Sequence, residues 1–188
     1  MIQVKKIGIE STVEEAHNSL IQNHGFKISE DGKEFLNHPV LKKIKNINIY
    51  ENEKNKEKML IVGNKNVALQ VFTKKLTYVK YLEWYVELLK IFYSSGYSKA
   101  KVDFPKSEET IDSISAMDYK SNMSFFIADK IKEDEVQIVL VTISPENFGF
   151  NVNNTGYVKR NFIKKDEEIS FFDVLSIAGG VAGFASLF

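Results

Sequence analysis

The stretch from Thr77 to Ser95 is apolar around most of its circumference, which constrains the fold more than any other feature of this 188-residue chain. Tyr78, Tyr81, Leu82, Tyr85, Leu89 and Phe92 recur at helical spacing along one side. Val79, Trp84, Val86, Leu88 and Ile91 spread over much of the remainder, leaving Lys80, Glu83, Glu87 and Lys90 as the polar stripe, and Gly96 supplies the stop. A helix apolar on this scale needs cover on most sides. The expectation is a central core helix over 77–95.

The strands that would cover it are legible as alternation. Ile2, Val4, Ile7 and Ile9 read as an opening strand, and Ser11-Thr12-Val13-Glu14 as a capping box. The helix that follows has Val13, Ala16, Leu20 and Ile21 on its buried stripe and Gly25 at its end. A hairpin over Phe26 to Leu36 turns at Asp31-Gly32. Ile47–Tyr50, Met59–Val62 and Val67–Phe72 are three strands with a solvated polar loop, ENEKNKEK, between the first two. Such short connections suit an antiparallel meander rather than parallel crossovers. Val102–Phe104 reads as a short strand, and Ser107-Glu108-Glu109 opens a helix carrying Ile111, Ile114 and Met117. Met123–Ala128 and Val136–Ile143 are joined by the charged DKIKEDE segment. Apolar on both faces, Val136–Ile143 belongs mid-sheet. Asn151–Gly156 is a turn and Tyr157–Ile163 a last strand. The fold class is α+β, a largely antiparallel sheet against the 77–95 helix, with one domain over 1–168.

Residues 169–188, ISFFDVLSIAGGVAGFASLF, form an apolar C-terminal helix or tail. The 15 residues after Asp173 carry no charge and as a helix would span about 22 Å, short of a hydrocarbon core of about 30 Å. Gly179 and Gly183 make a G-x-x-x-G spacing that permits close helix approach. Three roles fit: a last core helix, an element buried in a partner or a second copy, or insertion into a membrane surface.

Charge and composition exclude function classes. Lys plus Arg and Asp plus Glu balance at 25 each, against a general polyanion binder. All the basic residues but Arg160 are Lys, and Asn and Ile are abundant, as in AT-rich genomes of bacteria or phage. Arg is the usual bidentate reader of guanine and phosphate, so nucleic acid is not the expected partner. With no Cys there is no disulfide framework or thiolate nucleophile. The glycine-rich phosphate cradles, H-E-x-x-H and the G-x-S-x-G elbow are missing. His17 and His24 stand seven apart, too far for one metal, and His38 sits in a loop. Glu14-Glu15, Glu108-Glu109 and Asp166–Glu168 read as helix-start acids, and Glu133–Glu135 as a hairpin turn.

The sequence therefore assigns no catalytic, cofactor or metal residues. It points to a non-enzymatic cytoplasmic protein that binds another protein or itself, of immunity, inhibitor or adaptor type. The candidate interaction residues are Tyr78, Tyr81, Trp84 and Tyr85 on the helix, and Phe171, Phe172, Gly179, Gly183, Phe184 and Phe188 in the tail. The alternative is peripheral membrane attachment through 169–188.

Overall fold

A computed structural model describes residues 2–30, 45–94, 96–99, 108–118, 120, 122–148, 150–152 and 158–160. Their fold is α+β: helices α1 (Val13–Asn18) and α2 (Tyr78–Ser94) lie against a large antiparallel sheet. The strands are β1 (Lys27–Ser29), β2 (Asn46–Asn52), β3 (Glu57–Gly63), β4 (Val67–Thr77), β5 (Ser98–Lys99), β6 (Thr110–Met117), β7 (Met123–Lys132) and β8 (Glu135–Ile143). Their order is β1-β2-β3-β4-β8-β7-β6-β5, and β9 (Phe150–Val152) pairs with β10 (Val158–Arg160) in a separate ribbon. The predicted turns at 31–32 and 153–156, the 102–104 strand, His38 and residues 169–188 lie outside the described residues.

Alternation along β4, β8 and β7 divides the sheet into two apolar faces. On one, Phe72, Leu140, Phe126 and Ile114 stand in register across β4, β8, β7 and β6. They form a core with Tyr81, Leu88 and Phe92 of α2. On the other, Val71, Val141 and Phe125 stand in register and are also buried. β8 therefore lies mid-sheet and is buried on both faces, as its unbroken apolar run requires.

A second core lies under α1. Ile7, Ile9, Val13, Ala16, Leu20 and Phe26 cover Tyr50, Met59 and Ile61 of β2 and β3. Its helix starts one residue later than the sequence pattern suggested. Thr12 is the N-cap, and the reciprocal bonds run between Thr12 and Glu15 rather than Ser11 and Glu14. A π-helical turn, Ser19–Asn23, extends it to Gly25, whose φ of 67° reverses the chain. That widened turn brings Leu20 inward and leaves Ile21 exposed.

Four other expectations change. Ile2–Ile9 is not a strand: Val4 and Ile7 exchange two 2.9 Å backbone hydrogen bonds around a tight turn at Lys5-Lys6. Burial of Ile2, Ile7 and Ile9 comes from this fold-back and not from a ladder. Residues 110–117 form strand β6 where a helix was expected. Ile111, Ile114 and Met117 fit helical spacing, but seven residue pairs along β7, with a bulge at Ile111, outweigh a weak helical preference. Glu108-Glu109 thus precedes a strand. The ENEKNKEK run is absorbed into longer strands, with a 3-10 turn at Glu53–Asn55 and Lys56 in the left-handed region, and Glu57 is buried. The strand at Lys27–Ser29 pairs with Ile49–Glu51 of β2.

The largest correction concerns α2. It is not central but lies on one face of the sheet, and only Tyr81, Leu88 and Phe92 are fully buried. Trp84 and Tyr85 pack partly against Phe126, at ring-centroid distances of 5.6 Å each. The sheet supplies cover for one side only.

The turn between β3 and β4 fixes a further detail. A Cβ on Gly63 would stand 2.1 Å from the Asn66 carbonyl oxygen, whereas one on Gly96, at φ 73°, would meet nothing. Gly63→Ala is expected to destabilise the fold by about 2–3 kcal/mol through forced backbone displacement. Gly96→Ala, which bears only the left-handed penalty, should cost about 1 kcal/mol. Urea titration of the two variants checks the order, and equal losses would contradict the steric reading.

Candidate functional site

Every residue of α2 is committed to a direction by its start. β4 ends at Thr77 and α2 begins at Tyr78 with no intervening loop. The Tyr78 backbone N–H donates to the Asp134 carbonyl in the β7–β8 turn at 3.3 Å. With the first turn held, the 100° step per residue aims Tyr81, Leu88 and Phe92 at the sheet. A flank roughly 110° round the helix from that direction carries Val79, Leu82, Val86, Leu89 and Tyr93. Val79 is 65% exposed, Leu82 44%, Val86 50% and Tyr93 82%, with Leu89 half-buried.

The spacing of these five residues is three, four, three, four. That is the a/d spacing used in helix pairing, over about two heptads, with Val, Val and Tyr at a and Leu, Leu at d. The sequence contains this line, but there it merges with the inner face into one broad apolar arc. Resolving two apolar stripes, one wide and one at strict 3-4 spacing, would have found it.

The residues singled out from sequence divide accordingly. Tyr81 is fully buried and donates its hydroxyl to the Asp112 carboxylate of β6. Burial, that bond and the Asp112 charge raise the Tyr81 hydroxyl well above its ordinary value, so it stays protonated and bonded. Burial likewise raises Tyr85, with the Asp112 charge adding to it. Tyr81 is thus an anchor of the inner core, with Trp84 and Tyr85 partly buried along its wall. Only Tyr78, 42% exposed, borders the outer ridge. Phe171, Phe172, Gly179, Gly183, Phe184 and Phe188 lie outside the described residues.

Beside the inner side of α2 a charged cluster closes the N-terminal segment onto the sheet. Glu57 of β3 is buried, and its Oε1 accepts from Lys5 Nζ at 3.1 Å and from Lys74 Nζ at 2.8 Å. Lys5 Nζ also stands 2.9 Å from Oε2. Burial raises the Glu57 carboxyl, but the bonds and charges of Lys74 and Lys5 outweigh it and hold the group below its ordinary value. Lys5 and Lys6 have φ of 56° and 63°, positions where Gly or Asn is usual. Placing non-glycine residues there costs roughly 1–2 kcal/mol each. The pairing with Glu57 is what Lys5 returns for that strain. A cleft of about 220 Å³ between Val4-Lys5 and α2 is lined by Trp84, Leu88 and Ile91 and has Glu57 and Lys74 on its wall.

Both described histidines, His17 and His24, take structural partners. His17 Nδ1 lies 3.0 Å from the Tyr50 hydroxyl, and burial pushes Tyr50 up to about 12. The His24 carbonyl accepts from Asn52 Nδ2 at 2.9 Å. Among the described residues no three His, Cys, Asp or Glu side chains are grouped to hold a metal ion, and no helix is long and apolar enough to cross a membrane. No protein-family model, curated protein or solved structure matches this chain.

Glu57→Gln is expected to cost about 2–3 kcal/mol at neutral pH, because two partly buried lysines lose their common anion. The native carboxyl sits below its ordinary value near 4.5, so its stabilising contribution is complete above that value and lost as pH falls below it. The gap between wild type and variant should therefore narrow on acidification below about pH 4.5. Denaturant titrations across that range check it, and a constant gap would contradict the charge account.

Proposed function

We propose that this protein is a non-enzymatic binding module, of inhibitor, immunity or adaptor type, that engages another macromolecule through the outer ridge of α2. One observation carries the reading: Val79, Leu82, Val86, Leu89 and Tyr93 form a continuous apolar line at 3-4 spacing on the solvent side of a helix. Its other side is already committed to the core.

The inner side suffices for stability. Tyr81, Leu88 and Phe92 bury their side chains against Phe72, Phe126, Ile138 and Leu140. Each fully buried apolar side chain of this size contributes roughly 1.5–3 kcal/mol. Polar residues on the outer side would leave this intact and improve solubility. Isolated exposed apolar residues are ordinary, but four in register on one helix, with half-buried Leu89 among them, match the groove-binding and helix-pairing modes of recognition. Glu83 and Lys90 border the line on the side away from the sheet with both signs of charge, and Lys80 and Glu87 lie beyond them.

Two measurements test this. Leu82→Glu and Val86→Glu should each change unfolding free energy by less than about 1 kcal/mol, while Phe126→Ala should cost about 3–5 kcal/mol. Losses of the larger size at Leu82 or Val86 would make the ridge part of the core. A photo-crosslinking residue at position 86 should give one defined protein adduct that Leu82→Glu removes, and none when placed at the exposed Lys54. Equal labelling at both positions, or ridge-dependent flotation with anionic vesicles in place of a protein adduct, would overturn the proposal.

A further inference from the structure

We infer that the ridge is occupied by a second copy of this chain, with the two α2 helices antiparallel across a twofold axis near Val86. This inference rests on the ridge being a binding surface and names what fills it.

Three features of the helix favour a copy of itself. The first is the a/d content. Val79, Leu82, Val86, Leu89 and Tyr93 leave no polar residue at any a or d position, the pattern by which one helix pairs with another. The second is size. With Val86 on the axis, Val79 of one copy falls opposite Tyr93 of the other, since both are seven residues from the centre. The smallest end of the line thus receives the largest side chain, and these are the two most exposed members, at 65% and 82%. A parallel arrangement would set Tyr93 against Tyr93 and leave Val79 facing Val79 across a gap.

The third feature is charge. Glu83 and Lys90 occupy equivalent positions beside the seam, both following a d leucine. Glu83 precedes the centre by three residues and Lys90 follows it by four. In the antiparallel pair they come level to within about 1.5 Å along the axis. The twofold axis makes that contact twice, Glu83 to Lys90 and Lys90 to Glu83. In a parallel pair Glu83 would flank Tyr78 and Tyr85, which offer it no cation. Lys90 already bonds Glu87 at 2.6 Å within its own helix, but both side chains are about two-thirds exposed and such a pair yields readily to a second acceptor.

The ridge also sets the strength. A 17-residue helix is about 25 Å long and contributes a stripe about 10 Å wide, so the helices alone bury well below the roughly 1,200 Å² of a standard interface. An interface below that size belongs with the weak, transient ones, so the pair is expected to form only at high protein concentration.

Sedimentation equilibrium of the full chain, from low micromolar to millimolar at low salt, tests the inference. The wild type should show a reversible monomer–dimer equilibrium. Glu83→Lys and Lys90→Glu should each weaken it about tenfold, because each turns two attractive contacts into two repulsive ones. The double exchange Glu83→Lys/Lys90→Glu should restore it, an outcome that a general loss of surface charge would not give. Circular dichroism confirms that each variant is folded, as substitution at exposed positions allows. A chain monomeric at millimolar concentration overturns the self-pairing; a photo-adduct at position 86 with a different protein would then leave the binding function standing. A dimer indifferent to the charge exchange overturns the antiparallel arrangement. Loss of both dimer and position-86 adducts removes the binding function itself.

Discussion

Because β4 passes into α2 without a loop, the register of the β4–β8 pair decides which side of the helix meets the sheet. Nine consecutive residue pairs, Leu69 with Ile143 through Thr77 with Glu135, hold that register. Slipping it by one residue would turn Phe72 and Leu140 to the opposite face and remove the floor on which Tyr81 and Leu88 rest. The 3.6-residue period then carries the constraint outward along α2, and the line from Val79 to Tyr93 points to solvent as a consequence. The exposed ridge is thus held by a nine-pair ladder that runs without a register shift, and not by a loop.

Electrostatics serve that arrangement from below. Glu57 gathers Lys74 of β4 and Lys5 of the N-terminal fold-back around one carboxylate, so the segment carrying Ile2 is fastened next to the inner side of α2. The left-handed backbone at Lys5 and Lys6 is tolerated because the fold-back buries Ile2 and Ile7 while the Lys5 side chain closes the charge cluster. On the far side of the same core, Tyr81 and Asp112 join α2 to β6. The helix is pinned at its start by Asp134 and at its first inward turn by Asp112, which leaves its outer side rigidly presented. A rigid surface loses little conformational freedom on binding.

The antiparallel α+β class, the strands at 46–52, 57–63, 67–77, 123–132 and 135–143, and the two helices are all foreshadowed by alternation, caps and stops in the sequence. Strand lengths are not, since charged residues such as Lys74 and Glu57 enter strands when they find each other across the ladder. β6 was hidden because Ile111, Ile114 and Met117 satisfy helical spacing, and only its neighbour β7 decides the matter. The candidate site was half legible. The right helix stands out, but its tyrosines attract attention while most of them serve the core. Val79, Leu82, Val86 and Leu89 look like more of the same core until the sheet shows that one side of α2 is all it can cover.

On the self-pairing proposal, the outer line of α2 is the contact surface for a second copy of the chain. The most direct measurement follows the methyl resonances of Val79, Leu82, Val86 and Leu89 as protein concentration rises from dilute to millimolar. The account predicts that these shift together along one binding curve while the inner methyls of Ile138 and Leu140 stay fixed. Ridge methyls that hold constant across the whole range would contradict it.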